Sequence, residues 1–368
     1  MKRRWKVLIG IAFTLAVLLA VNTVVVDQQT KPAEVTASGG QLIRLPGGEV
    51  QVLERAAQSP KPGAPIVLLH CYACSLRWWD QLTPLLTTDH RVIRVDFLGF
   101  GGSEKPSSGY SVEDQTQLVA GAMNELDVRG AVVVGQSMGA AMAVSLAESS
   151  SQLVDRVVDI SLAASNDDDQ LPFLARLGYT PVLGEAIWRL TPDFAVLDSF
   201  KRAFAPDFEI PPDFEDMILD GYERMTYTSY DEAHRALRDF RDAAPLDQRM
   251  TSSLVPLMAI FGAEDQLLDP TAAAEGFEDV PGVRISTLPG IGHTPQVEAP
   301  KQTAGLIEEF AADAGDEILS EHPPRKAGKK PKRDDKAKHN PDKKPKQGQK
   351  DQKGKQRGEK KGGKAKND

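Results

Sequence analysis

Short apolar runs alternate with amphipathic stretches through the middle of the chain. The runs are rich in Val, Ile and Leu, which is typical of strands covered on both faces, and they occupy residues 66–69, 91–95, 131–134, 157–162, 257–261 and 283–287. Helical stretches separate them, and one begins at Ser111 in a capping box with Asp114. This alternation predicts βαβ units and a mostly parallel sheet flanked by helices.

Two intervals do not follow this rhythm. Residues 41–55, broken by Pro46-Gly47-Gly48, predict a β-hairpin ahead of the sheet. Residues 165–250 carry no convincing strand but several amphipathic pieces between prolines. A helical insertion of about 86 residues within an α/β domain is usually a lid or cap. We therefore predict a core of residues 41–164 and 251–321, with a helical cap over the inserted residues whose pieces are 171–177, 194–204, 212–222 and 230–240.

The first 26 residues combine a basic start with an apolar run. Residues 1–6 contain four Lys or Arg, and in the twenty residues 7–26 only Thr14, Asn22 and Thr23 carry polar side chains. Twenty helical residues at about 1.5 Å each match a hydrocarbon layer of about 30 Å. We expect an uncleaved transmembrane signal anchor; a cleaved signal peptide, which would give a secreted protein, and a buried core helix are the alternatives.

Orientation across the membrane follows from the same segment. The positive-inside rule keeps residues 1–6 in the cytoplasm, which places everything after the span outside it. Residues 27–40 then form a linker to the core. The predicted localisation is a single-pass membrane protein whose catalytic domain lies outside the cytoplasm.

The formal net charge of −8 hides an uneven distribution along the chain. Residues 322–368 carry 19 Lys or Arg against 6 Asp or Glu, a net of +13, while residues 31–321 have a net of −24. The net negative charge of residues 31–321 excludes nucleic-acid binding through the folded surface, because affinity for polyphosphates comes from clustered Lys and Arg. The basic tail has no aromatic residue and is predicted to be disordered. It is either a solvated polycation or a segment attracted to anionic envelope polymers or lipid head groups.

The pentapeptide GQSMG, residues 135–139, lies directly after one predicted strand and directly before a helical run. This is the context that a G-x-S-x-G nucleophile elbow requires. Gly135 and Gly139 are expected because a Cβ at either position would collide across the sharp turn. Ser137 is the predicted nucleophile, and the N–H of Met138, at the positive end of the following helix, is a predicted oxyanion donor.

Further motifs in the same order resemble those of the α/β-hydrolase fold superfamily, specifically serine hydrolases with a helical cap. His70 and the residues after it are similar to the family's His-Gly-x turn, and DFLGFGGS at 96–103 to its D-x-x-G-x-G-x-S loop. FGAED at 261–265 is similar to the strand end that carries the acid, and GIGH at 290–293 to the loop that carries the base. The resemblance covers about residues 41–312 and implies the fold, but no particular substrate.

A serine hydroxyl needs a neighbouring base whose tautomer is fixed by a carboxylate. His293 lies late in the chain on a Gly-flanked loop, as the order Ser, Asp, His requires, and is the predicted base. Asp265 is the predicted acid, with Asp269 and Glu264 as alternatives. The resemblance implies that His70 holds loops together, and the other histidines lie before a strand, in the cap or in the tail, at His90, His234, His322 and His339.

The resemblance also implies that the second oxyanion donor is a backbone N–H just after His70, that of Tyr72 or of Cys71. Cys71 stands where glycine is usual in the family, so its side chain is expected to crowd the turn. With Cys74 it forms a C-x-x-C pair, for which three interpretations are open. The pair consists of buried free thiols, forms a local disulfide that stiffens the oxyanion loop, or serves a thioredoxin-like or zinc site.

The sequence therefore predicts a membrane-anchored serine hydrolase that cleaves a small or medium carboxylic ester through an acyl-enzyme. No cofactor and no metal are predicted, since two cysteines and few histidines do not make a metal module. The alternatives are C–C bond hydrolysis or cofactor-free perhydrolysis on the same triad, and a ligand receptor without turnover. Aromatic residues of the insertion line an acyl pocket or belong to the core, at Trp188, Tyr222, Tyr227 and Phe240.

Overall fold

The computed structural model describes residues 2–26, 30–166, 178–180, 183–253 and 255–313. Eight strands form one sheet in the order β1-β2-β4-β3-β5-β6-β7-β8. The pairs that involve β2 are antiparallel and the remaining neighbours are parallel, which confirms the predicted, mostly parallel sheet. The strands are β1 Gln41–Leu45, β2 Gly48–Arg55, β3 Ile66–Leu69, β4 Val92–Val95, β5 Ala131–Gln136, β6 Val154–Ile160, β7 Leu257–Gly262 and β8 Arg284–Leu288.

Helices cover both faces of this sheet. A group of them, α5 to α9, lies between β6 and β7, within the interval predicted as a cap; the predicted piece 171–177 lies outside the described residues. The α-helices are α1 Lys2–Val26, α2 Thr83–Leu86, α3 Val112–Glu125, α4 Met138–Ser149, α5 Leu183–Leu190, α6 Asp193–Lys201, α7 Pro212–Arg224, α8 Tyr227–Ala243, α9 Leu246–Ser252, α10 Pro270–Glu275, α11 Pro295–Glu298 and α12 Pro300–Ala312. The cap is defined as α5 to α8 together with the turns that join them.

The central strands are buried on both faces, which explains why their sequences are apolar without alternation. On one face Val67 and Val133 belong to a core shared with α3, α4 and part of the cap. On the other face Leu68 and Val132 pack with Phe310 of α12. Since neither face meets water, every position of these strands favours Val, Ile or Leu.

One strand differs from its prediction by three residues at its start, whereas the bounds of the other apolar strands shift by at most two residues. The apolar pattern predicts a strand over residues 157–162, but β6 begins at Val154 and ends at Ile160. The start of the strand is not evident from the sequence, because the charge of Arg156 interrupts the apolar run. The Arg156 side chain is nevertheless buried and donates to the carbonyl oxygen of Phe310 at 2.8 Å. The strand ends early because Ser161 takes a positive φ of 57°.

The N-terminal segment forms one helix, α1, over Lys2–Val26. Within α1 the structure describes the side chains of residues 4–18 and 20. Over the described residues, no helix is both long and apolar enough to cross a membrane. The transmembrane span predicted over residues 7–26 therefore finds no support there, and the predicted tail, residues 322–368, lies outside the described residues.

Contacts of the linker with the folded body begin after α1. Lys31 pairs with Lys105 in an isolated antiparallel bridge. Its ammonium group donates to the carbonyl oxygens at the end of α7, those of Glu223, Arg224 and Met225, at 3.0, 3.3 and 3.0 Å. The linker is thus attached to both the core and the cap from Lys31 onward.

Deletion of residues 1–26 is expected to leave the fold intact, because the sheet begins at Gln41 and the linker keeps its bonds from Lys31 onward. We expect the midpoint of thermal unfolding to shift by less than about 2 °C. Scanning calorimetry of the full chain and of the truncated chain, both in detergent, measures this. Loss of cooperative unfolding in the truncated chain would show that the apolar run belongs to the core.

Candidate active site

The turn between β5 and α4 holds Ser137 in a strained conformation. Its φ of 51° and ψ of −117° lie in a sparsely populated backbone region, and holding a residue with a side chain in such a conformation costs about 1–3 kcal/mol. The turn is also tightly packed: a Cβ on Gly135 would overlap the backbone of Gly139, and a Cβ on Gly139 would overlap the carbonyl group of Leu69. The predicted requirement for glycine on both sides of Ser137 is confirmed.

The same turn presents the serine hydroxyl outward. Ser137 is half-buried, whereas its neighbours in the strand and the helix are buried. It is the N-cap residue of α4, but its side chain makes no capping hydrogen bond, so the helix does not engage the hydroxyl. Met138 is the first residue of α4, and its N–H is among the groups that have no partner inside a helix. The predicted nucleophile and the predicted oxyanion donor therefore lie side by side.

His293 and Asp265 meet at the ends of neighbouring loops. The Nδ1 atom of His293 lies 2.7 Å from Oδ2 of Asp265. The side chain of Asp265 is fully buried and that of His293 is 10% exposed. Because an ionised carboxylate can only accept, Nδ1 carries the proton and Nε2 is the proton-accepting nitrogen. This is the tautomer that a general base for a serine requires.

The structure distinguishes Asp265 from Asp269 and Glu264, the two alternative acids, by their hydrogen-bond partners. Its second oxygen, Oδ1, accepts from the N–H groups of Leu267 and Leu268 at 2.8 and 3.2 Å, which fixes the carboxylate in its loop. Asp269 instead caps α10 by accepting from two backbone N–H groups of that helix. Glu264 is exposed. Of the three carboxylates, only Asp265 bonds the imidazole.

The base loop, residues 289–294, is joined to the elbow by a bond between distant parts of the chain. Gln136, the residue before Ser137, donates from Nε2 to the carbonyl oxygen of His293 at 3.0 Å. The base loop is also joined to the acid loop, residues 263–269, because the N–H of Glu264 donates to the carbonyl oxygen of Ile291 at 2.8 Å. The three residues predicted as a triad therefore sit on segments that are directly bonded to one another.

His70 ends β3 and ties the oxyanion loop, residues 71–75, to the loop after β4. Its Nδ1 atom lies 2.7 Å from the carbonyl oxygen of Cys71, and its Nε2 atom accepts from the N–H of Phe97 at 3.1 Å. Complete burial lowers the pKa of His70, an effect that nearby Asp96 opposes in part. A neutral imidazole that donates through one nitrogen and accepts through the other holds two loops, as the resemblance implies.

Cys71 and Cys74 form a disulfide, with their Cα atoms 5.2 Å apart. Of the three interpretations, the structure thus favours the local disulfide in the oxyanion loop. Ala73, inside the closed loop, takes a positive φ of 57°. Within the described part of the chain, the N–H groups of Cys71 and Tyr72 donate to no protein acceptor. Both predicted donors therefore remain available to an oxyanion.

The side chain of Tyr72 links the oxyanion loop to the cap. Its hydroxyl donates to the carbonyl oxygen of Tyr230 in α8 at 2.5 Å, and the two rings lie 5.5 Å apart. Burial raises the pKa of Tyr72 well above its usual range, so the hydroxyl stays protonated and able to donate. Tyr230 is the centre of an aromatic cluster whose other members include Tyr179, Trp188, Tyr222 and Tyr227.

The remaining aromatic and histidine candidates occupy structural positions. Phe240 belongs to the main core and lies under the guanidinium group of Arg249, 3.7 Å from its ring centre. His234 stacks on Tyr179 at 3.8 Å, and burial, helped by nearby arginines, lowers its pKa to about 4. His90 bonds the carbonyl oxygen of Ala64 at 2.7 Å. No group of three or more potential metal ligands occurs among the described residues.

Sequence reasoning missed two polar groups beside the site, one half-buried and one fully buried. Glu298 follows His293 by five residues and bonds the base loop, but nothing in the sequence distinguishes it from the solvent-facing glutamates of α12. Asp159 interrupts an apolar strand, a signal that a search for buried charge could have used. Its Oδ1 accepts from the N–H of Leu162 at 3.0 Å, and complete burial raises its pKa well above the usual range.

Comparison with known proteins identifies relatives of this chain. An uncharacterized protein of Mycobacterium tuberculosis is 26% identical over 266 residues, which cover 70% of this chain and 77% of that protein. The 2-hydroxymuconate semialdehyde hydrolase of a Pseudomonas strain is 24% identical over 70% of this chain and 90% of its own length.

Solved structures show the same fold. The enol-lactonase of Burkholderia xenovorans has a TM-score of 0.62 at 23% identity, over 74% of this chain and 100% of that protein. A family model described as the alpha/beta hydrolase family matches residues 66–306, from the first parallel strand to the last helix. That match takes in more than half of the chain and every segment that meets at Ser137, so the chain belongs to the alpha/beta hydrolase family.

Proposed function

We propose that the protein is a serine hydrolase that cleaves a small or medium carboxylic ester, open-chain or cyclic, through an acyl-enzyme. One observation carries the proposal: His293 is bonded through Nδ1 to the fully buried carboxylate of Asp265, while its loop is bonded to the residue before Ser137. Acyl transfer needs a serine together with an imidazole whose tautomer a carboxylate fixes.

The reaction then has two halves. Ser137 attacks the ester carbonyl while Nε2 of His293 takes the hydroxyl proton, and Asp265 stabilises the imidazolium ion that forms. The N–H groups of Met138 and of Tyr72 or Cys71 stabilise the oxyanion. The proton passes to the leaving alcohol as the ester C–O bond breaks. Water, activated by His293, then attacks the acyl-enzyme, releases the acid and restores Ser137.

C–C bond hydrolysis is a second candidate. The 2-hydroxymuconate semialdehyde hydrolase of Pseudomonas aligns over 90% of its length, and the semialdehyde in its name has no ester bond to hydrolyse. The same three residues support C–C bond hydrolysis, but the leaving group is a carbanion that must be protonated. Parallel assays with p-nitrophenyl esters, a lactone series and 2-hydroxymuconate semialdehyde distinguish the two. Turnover of the semialdehyde alone would favour the second candidate, and binding without any turnover would favour a receptor.

We also propose that the enzyme works outside the cytoplasm. The support is the basic and apolar sequence of residues 1–26 together with the disulfide between Cys71 and Cys74, since such bonds persist in oxidising compartments. Anchoring by α1 and attraction of the tail, residues 322–368, to anionic polymers or lipids belong to the same proposal.

The first prediction for this function concerns the nucleophile. An active-site fluorophosphonate should label the protein once, at Ser137, because an activated serine displaces fluoride irreversibly. Intact-mass spectrometry measures the label, and Ser137→Ala should abolish both labelling and ester turnover. Ser149→Ala, a change on the exposed end of the same helix, is the control and should label normally. Labelling that survives Ser137→Ala would refute the assignment.

The second prediction concerns the acid. Asp265→Asn should lower kcat by about 10⁴, as in proteases where the same change favours the wrong imidazole tautomer. Asp269→Asn is the matched control and should keep its activity, because asparagine also serves as an N-cap. Steady-state kinetics of both variants, with circular dichroism to verify folding, measure the effect. A large fall in kcat in the Asp269→Asn variant alone would show that Asp269, and not Asp265, is the acid.

The third prediction concerns the disulfide. Thiol titration of the unreduced, denatured protein should find no free thiol. The double variant Cys71→Ala/Cys74→Ala should fold, because so short a loop contributes only about 2 kcal/mol of chain entropy. Its kcat should fall, by up to about 10²–10³ if an oxyanion donor is displaced. Two free thiols in the first measurement, or unchanged kcat in the second, would contradict this role.

A further inference from the structure

The carboxylate of Glu298 bonds the base loop on both sides of His293. Glu298 is the last residue of α11 and is half-buried. Its oxygens accept from the N–H of Gly292 at 3.1 and 3.0 Å, and Oε1 accepts from the N–H of Thr294 at 3.2 Å. The hydroxyl oxygen of Thr294 lies 2.9 Å from Oε1. One side chain thus fixes the backbone immediately before and after the imidazole.

The same carboxylate reaches the cap. Its Oε2 atom accepts from the N–H of Ala205 at 2.8 Å, in the turn between α6 and α7. The Thr294 hydroxyl lies 3.2 Å from the carbonyl oxygen of Ala203 in that turn. No space separates the two segments, since a Cβ on Gly292 would overlap the backbone of Phe204 and Ala205. The base loop and the turn Ala203–Ala205 are packed as one unit.

The acid loop joins the same turn. Gln266, the residue after Asp265, donates from Nε2 to the carbonyl oxygen of Phe204 at 2.9 Å. Its own carbonyl oxygen accepts from Arg202 at 2.9 Å. The turn of the cap therefore contacts the loop of the acid and the loop of the base, and Glu298 is the only charged side chain among the described residues that bonds both that turn and the base loop.

We propose that Glu298 is a positioning residue that sets the imidazole of His293 against Asp265 and ties this alignment to the turn Ala203–Ala205 of the cap. The proposal rests on the proposed function, because it gives Glu298 a task in the reaction of Ser137. A carboxylate suits this task, since all its partners are N–H or O–H groups and it can only accept. An amide in its place would turn an NH₂ group toward at least one of these donors.

Glu298→Gln tests the proposal. We expect kcat to fall about 10- to 100-fold, the scale of a misplaced catalytic group, while KM stays within about twofold, because no substrate contact is removed. The second readout is the proton NMR resonance of the Nδ1–H that His293 shares with Asp265, which should shift or broaden. That resonance reports alignment without turnover, so it distinguishes failure of this proposal from failure of the proposed ester chemistry.

Two further variants complete the experiment. Glu264→Gln is the matched control: it removes the same charge from the neighbouring loop, but its exposed side chain makes no hydrogen bond among the described residues, and kcat should not change. Thr294→Val leaves the carboxylate in place and removes only the hydroxyl between Glu298 and Ala203, so a smaller fall in kcat is expected. If Glu298→Gln does not fold, the kcat of the Thr294→Val variant tests the proposal in its place.

Two results would overturn the proposal. One is a folded Glu298→Gln protein with the kcat and the Nδ1–H resonance of the unaltered chain. The other is a fall in kcat that only follows the unfolded fraction, with folded molecules reacting with fluorophosphonate at the original rate. Loss of kcat with the unfolding temperature retained, and with Glu264→Gln unaffected, supports it.

Discussion

The close approach of backbone at the elbow is the constraint on which the rest of the site depends. Ser137 can hold a positive φ because the sheet determines its surroundings: Gly135 pairs with Leu69 on one side and with Asp159 on the other, and the N–H of Ser137 donates to Ile160 at 2.8 Å. Strain at a single residue persists when its neighbours are fixed this firmly. The position of α4, and hence of the Met138 N–H, follows from the same contacts.

The sequence predicts the sheet and the elbow well because their signals are local. The sheet follows from apolar runs and the elbow from a pentapeptide between a strand and a helix, whereas the assignment of Asp265 and His293 rests on their order after Ser137 and on the resemblance. What the sequence does not show is contact between distant segments. The bond from Gln136 to His293 spans 157 residues, and that from Glu298 to Ala205 spans 93. Nothing near either residue indicates its partner.

Cys71 illustrates a residue whose partners the sequence leaves open. The Cys71 side chain joins Cys74 and packs into an apolar cluster with Trp78 and with Phe214 and Ile218 of α7. Cys71 is 6% exposed and Cys74 2%, so the disulfide is covered by the cap. The departure from glycine therefore adds an attachment between the oxyanion loop and the cap.

The cap therefore contacts the site in two places, at the acid and base loops and at the oxyanion loop. Three hydrogen bonds join the segment Arg202–Ala205 to Gln266 and Glu298, and the Thr294 hydroxyl lies 3.2 Å from the carbonyl oxygen of Ala203. At about 0.5–1.5 kcal/mol each, the three bonds stabilise this contact by about 1.5–4.5 kcal/mol. The bond from Tyr72 to Tyr230 and the disulfide cluster hold the oxyanion side. Lifting the whole cap would break both sets and displace the base and the oxyanion loop together. An opening confined to other parts of the cap would leave both sets of contacts in place and preserve the alignment of the base and the oxyanion loop.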